Sequence, residues 1–139
     1  MKGNIQEGGH RVPFGVRWPA RIKPGTICKD VICLNDFMAT VADLLGVPLP
    51  ENAAEDSTSI LPLLDGTKNV LTDRSLVVNH DYKGGFAIRK GKWKLVEAKL
   101  YDLDTDPKEL KDVANEFPEI VKELASTLER YQESGRSRK

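Results

Sequence analysis

The chain is 139 residues long, with 21 Lys plus Arg against 21 Asp plus Glu. That length fits one domain of ordinary size, and zero net charge gives no electrostatic reason to expect nucleic-acid or membrane-surface binding. No apolar run approaches the ~18 residues of a membrane span, and no charged-then-apolar leader opens the chain.

The first segment, Lys2-Gly3-Asn4-Ile5-Gln6-Glu7-Gly8-Gly9-His10-Arg11-Val12-Pro13-Phe14, combines a lysine, glycines, a carboxylate and a basic pair. Such a strip suits a loop that folds back on itself near an anion: glycine permits positive φ and close backbone approach, and Lys2 is a mobile point charge. Phe14 to Trp18 alternates apolar with small or polar residues between Pro13 and Pro19, which predicts a short strand turned by Pro24-Gly25. Leu34, Phe37, Met38, Val41, Leu44 and Leu45 recur at helical spacing. Asn35 is the expected N-cap, Gly46 the residue after the end, and Pro48 the stop. Residues 47–69 read as a long surface connection with one apolar clip, Ile60 to Leu64.

Farther along, Leu76-Val77-Val78 predicts a strand. Phe86 to Arg89 and Lys92 to Val96 flank Lys90-Gly91 as a hairpin, and Leu100 to Leu103 adds an antiparallel neighbour. From Pro118, the residues Ile120, Val121, Leu124, Leu128 and Tyr131 line one face of a helix that stops near Gly135. Residues 70–139 are therefore expected to form a β-meander covered by one helix. The basic end Arg136-Ser137-Arg138-Lys139 reads as a frayed, solvated terminus.

Several generic sites fail on spacing. Gly85 to Gly91-Lys92 is one residue too long for a phosphate-binding P-loop, and Trp93 stands where a magnesium-binding hydroxyl belongs. Asp102, Asp104 and Asp106 alternate like a calcium loop, yet Pro107 replaces the turn glycine and Val113 the bidentate glutamate, so they read as a turn and helix-entry device. Cys28 and Cys33 do not have zinc-knuckle spacing and read as two ordinary semi-buried thiols, a disulfide being open only where the backbone bends to bring them together. No serine has a nucleophile-elbow context beside His10 or His80. Lys2, His10 and His80 remain as candidates. Each also has a bland reading: an exposed lysine, a loop histidine bonded to backbone, and a structural histidine at a strand end.

The order of motifs is more specific than any one of them. Lys-Gly-x-x-x-Glu-Gly-Gly-His-Arg-Val-Pro-Phe, then Val-Arg-Trp-Pro and Lys-Pro-Gly-Thr, resembles the type I, formylglycine-dependent sulfatases. So do the run from Asn35 to Pro50, Asp56 to Pro62, Phe86 to Leu95, Leu100 to Leu103 and Asp106-Pro107. The resemblance covers nearly the whole chain and is to the C-terminal third of an arylsulfatase A-like enzyme. It implies an α/β, alkaline-phosphatase-like fold, with residues 1–69 ending the large domain in one strand and one helix. Residues 70–139 would form a small antiparallel subdomain under a C-terminal helix.

The resemblance also implies the chemistry. Family members hydrolyse sulfate esters with a formylglycine made in a Cys/Ser-x-Pro-x-Arg motif and one calcium held by acidic and amide side chains. Lys2 falls on the lysine that contacts the sulfate oxygens. His80, and more weakly His10, would face the group that bears the sulfate. Neither cysteine has the formylglycine context, and the calcium ligands have no counterpart in these residues. The chain alone is thus expected to lack the nucleophile and metal ligands and to be inactive, its partners being a missing N-terminal sulfatase domain and a sulfate-ester small molecule or sulfated glycan. Relatives of this kind are periplasmic, secreted or lysosomal. Two readings compete: a stand-alone binding module for sulfated glycans or a partner chain, and the tail of a related phosphodiesterase or phosphonate hydrolase. A third makes the chain a remnant without function.

Overall fold

Alternation of period two in the second half of the chain produces a sheet whose pairing closes locally. In the computed structural model, which describes residues 3–71 and 76–138, β1 (Val77–His80), β2 (Phe86–Lys90), β3 (Trp93–Val96) and β4 (Lys99–Asp102) form one antiparallel sheet in sequence order. Its register aligns Val78, Ile88, Leu95 and Leu100 in a single row across the four strands. Side chains on that row share a face because strand residues alternate sides. Helix α4 (Pro118–Ser134) covers the row with Ile120, Val121, Leu124 and Leu128, joined by Val113 and Trp93. Ile88, Leu100 and Leu124 are wholly buried. The expected meander and its covering helix are both present. The tight β2–β3 turn has Gly91 at φ +55°, the left-handed position the hairpin requires.

The chain divides into two compact units: Met1–Phe14 with Leu76–Glu133, and Gly15–Ser75 with Ser134–Lys139. The described N-terminal residues belong with the sheet because Ile5 and Glu7 pair with the buried Lys94 of β3.

In the other unit, α2 (Asp36–Leu45) ends where expected, with Gly46 at φ +65° donating to Ala42 or Asp43 carbonyls. Its start differs from expectation. Asn35 is itself helical and gives no side-chain cap; its amide donates instead to the Asp56 carbonyl. Wholly buried Asp36 accepts from the Cys33 and Thr58 amides, and Ser57 Oγ accepts from Ala39 N–H. A loop some twenty residues away thus does the capping. The helix also turns the other way: Asp36, Ala39 and Thr40 are its buried residues, while Phe37, Met38 and Leu45 are more than half exposed and Val41 and Leu44 about two-fifths. The expected clip forms α3 (Leu61–Leu64), and Ile60, Leu63 and Leu71 make this unit's small core with Ile32 and Leu64.

Two further expectations are corrected. Residues Phe14 to Trp18 form no strand; they are irregular and mostly exposed, and the strands among the described residues pair only with one another, leaving this segment outside any ladder. The basic end is tied down rather than frayed. Ser137 N–H donates to Asp56, Arg138 N–H to the Glu55 carbonyl, and the Arg138 guanidinium to the Pro50 carbonyl. Cys28 and Cys33 are free thiols; Cys33 is half-buried as expected, but Cys28 is exposed. No helix among the described residues is long and apolar enough to cross a membrane.

Candidate active-site loops

Two loops of the sheet unit carry the candidate residues. The first is the segment that follows Lys2. It folds back as the sequence predicts: Gly3 has φ +80°, and a short helix α1 (Glu7–His10) begins four residues on. Gly9 sits so close to Asn4 that an added Cβ would lie 2.9 Å from the Asn4 carbonyl carbon and nearer still to its oxygen. Only glycine fits there. Lys2 itself lies outside the described residues.

The second loop joins β1 to β2. Asp81 organises it: Oδ1 accepts from the Lys83 and Gly85 amides at 2.8 and 2.9 Å, and the Asp81 N–H donates to the Gly85 carbonyl. The Gly85 amide, followed by the Lys83 amide and charge, holds the Asp81 carboxyl below its ordinary range. His80 precedes this turn at the end of β1 and is exposed. Its Nδ1 lies 3.2 Å from the Asp81 carbonyl oxygen, and its ring is tilted against Phe86 at 6.2 Å.

The loops meet. Tyr82 N–H donates to the Gly3 carbonyl at 3.3 Å, and a Cβ on Gly3 would be 3.7 Å from the Tyr82 ring. The residue next to Lys2 in the chain and the residue two beyond His80 are therefore in contact. Tyr82 is 77% exposed, an aromatic presented beside both histidine-loop and glycine-loop backbone. Sequence reading passed over it because a lone tyrosine in a polar loop carries no periodic signal.

His10 belongs to the same unit but makes no hydrogen bond or ring contact with His80 among the described residues. Its Nε2 is buried without a hydrogen-bond partner.

Beneath the first loop lies a charge cluster that sequence reading also missed. Lys94 is wholly buried; its Nζ donates to the Ile5 carbonyl at 2.8 Å and pairs with Glu109 Oε1 at 2.7 Å and Glu7 Oε1 at 3.2 Å. Arg89 donates to Glu7 Oε2 at 2.8 Å, and Glu109 Oε2 accepts from Glu7 N–H at 2.8 Å. An ammonium out of water is tolerated only with such partners.

These and two further acidic side chains are engaged within the chain. Glu7 and Glu109 are spent on Lys94 and Arg89, Asp102 on Lys92, and Asp106 on the Leu110 and Lys111 amides. Among the described residues no group of three or more His, Cys, Asp or Glu is placed to hold a metal. Asp102 and Asp106 act as turn devices, but the expected helix entry is not there, since the next helix, α4, begins only at Pro118.

Against known proteins, the sequence model of the family described as N-sulphoglucosamine sulphohydrolase, C-terminal, matches residues 2–134. An N-acetylgalactosamine-6-O-sulfatase of Bacteroides thetaiotaomicron is 37% identical over 92% of this chain. A solved structure from work on glycosaminoglycan metabolism in the same bacterium superposes with TM-score 0.83 at 36% identity, covering 92% of this chain and 30% of its own. A second, solved with its substrate D-glucosamine-2-N,6-O-disulfate, gives TM-score 0.67 at 25% identity, covering 84% and 27%. The chain spans 28% of the length of the N-acetylgalactosamine-6-O-sulfatase. With its four-stranded sheet, its covering helix and a family match over nearly every residue, the chain belongs to the sulfatases and corresponds to their C-terminal portion.

Proposed function

We propose that this chain is the C-terminal part of an enzyme that hydrolyses sulfate esters of an amino sugar, contributing one anion contact and part of the sugar-binding rim. The observation that carries the reading is the meeting of the two loops through Tyr82 and Gly3, in a chain alike over 92% of its length to a sulfatase of a sulfated amino sugar. Lys2 would place its ammonium on the sulfate oxygens, where negative charge grows as the S–O bond breaks; a preorganised cation there stabilises the transition state more than the ground state. His80 and Tyr82 would meet the sugar ring, an exposed aromatic beside a hydrogen-bonding imidazole being a common way to hold a carbohydrate face. His10 would be a weaker contributor.

The nucleophile and metal come from elsewhere in this reading. Residues 1–69 would close the enzyme's α/β domain and residues 70–139 form its small subdomain. The outward apolar face of α2 supports this, since an isolated chain gains nothing from exposing Phe37, Met38 and Leu45. It also weighs against a stand-alone binding module. The formylglycine and calcium implied by the resemblance would be supplied by the larger protein.

The test is hydrolysis by the protein encoded by the chain together with its upstream coding sequence. Aryl sulfate, aryl phosphate and 6-O-sulfated N-acetylgalactosamine or glucosamine are offered in parallel. Sulfate release is expected, with Lys2→Ala lowering kcat/KM by ~10²-fold or more. Preference for the aryl phosphate would replace the sulfatase reading with the phosphodiesterase one.

A further inference from the structure

Strand register places Arg89 directly opposite Lys94, on the sheet face away from α4. Two cations facing each other across a strand pair repel, and here one of them is removed from water altogether. The arrangement persists because two carboxylates, Glu7 and Glu109, are inserted against it, with side chains only 8% and 2% exposed. Glu109 reaches in from a residue with left-handed backbone, φ +57°, and accepts the Glu7 N–H besides pairing with Lys94. The result is a closed set of two positive and two negative groups.

Glu7 of this set, and the Ile5 carbonyl that Lys94 also bonds, lie on the loop that follows Lys2 in the chain. That loop is thus bound to the sheet at residue 5 and residue 7, and to the Tyr82 turn at residue 3. We infer that Lys94, Glu109 and Arg89 are positioning residues: through Glu7 and Ile5 they fix the loop that follows Lys2 in the chain, and through that loop they govern how well the sulfate contact is made. This rests on the reading of Lys2 as the sulfate contact.

Two readouts test it. In the chain itself, amide hydrogen exchange is compared for wild type, Lys94→Met and Glu7→Gln, the last keeping shape while removing charge. The expected result is a loss of protection of about tenfold or more over residues 5–10, with the Ile88 and Leu95 amides changed by no more than about twofold. Unchanged protection over residues 5–10 overturns the inference. So does loss of the whole sheet in both variants, which would make the set a plain structural staple. In the protein extended with its upstream sequence, kcat/KM for an aryl sulfate is measured for Lys2→Ala, Glu7→Gln and the double variant. Each single change is expected to cost ~10²-fold, and the double variant little more than the worse single, since Glu7 acts only through Lys2. Effects that multiply would refute positioning. Absence of sulfatase activity in the unsubstituted protein sinks the sulfate-contact reading alone, and hydrogen exchange still decides whether the loop is fixed from below.

Discussion

Leu124 is the sharpest probe of whether the sheet unit is complete within this chain. It is wholly buried among Ile88, Leu95, Leu100 and Val113, at the centre of the α4–sheet contact. Leu124→Ala removes three carbons, about 2.4 kcal/mol of transfer free energy at ~0.8 kcal/mol per methylene. A cavity that helix and sheet cannot fully close raises the total to roughly 3–4 kcal/mol, within the range for buried leucines. For a unit of this size that is a fall in Tm of about 12 °C or more. Urea unfolding followed by circular dichroism gives the value, and exchange of the Leu95 amide reports it locally. The matched control is Leu45→Ala on α2, where the side chain is 68% exposed and the change should stay within ~0.5 kcal/mol. A cost below ~1 kcal/mol at Leu124 would mean that α4 does not close the core. A comparable cost at Leu45, independent of protein concentration, would mean that the α2 face is covered within the chain itself.

Gly9→Ala should destabilise by ~1–3 kcal/mol, because the new methyl meets Asn4 backbone rather than a yielding side chain, whereas Gly8→Ala, with open space around it, should be near neutral; thermal melts of the two separate the effects. The Asp102 carboxyl is held below its ordinary value, first by the Lys92 hydrogen bond and then by the Asp104 amide. Its folded pKa being lower than its unfolded one, its contribution is complete above about pH 5 and is lost as pH falls through the folded value. Urea titrations between pH 3 and pH 7 should therefore show a smaller acid-side loss of stability for Asp102→Asn than for wild type. An equal loss would exclude Asp102 as a source.

What was legible in the sequence is what this chain can satisfy by itself. The meander and α4 show period two and period 3.6 because their apolar residues bury against one another, in the row from Val78 to Leu100 under Leu124. The predicted strand at Phe14 to Trp18 has the right alternation, yet it joins no ladder among the described residues, and alternation alone does not make a strand. Asn35 has the right chemistry for a cap, yet Ser57 Oγ takes the Ala39 N–H from a position no local pattern links to the helix start. Lys94 escaped notice for a related reason. In an alternating strand a lysine marks the solvent face, and only the fold shows Glu7 and Glu109 closing over it from positions 87 residues before and 15 after in sequence.

The misread face of α2 and the missing strand point the same way. Their sequence patterns are good, so the pattern was selected for burial that the chain alone does not provide. Phe37, Met38, Val41, Leu44 and Leu45 make a stripe at helical spacing, and the residues that are buried instead, Asp36, Ala39 and Thr40, are small or hydrogen-bonded to the loop at Ser57 to Ile60. A helix held by polar contacts on one side and apolar on the open side is built to be sandwiched. In the sheet unit the opposite holds: apolar residues close under α4, and the polar face is filled by the Glu7 loop. The part of the chain that completes its own core is therefore the part that carries the candidate loops. The part that does not is the part whose apolar stripe on α2 faces outward.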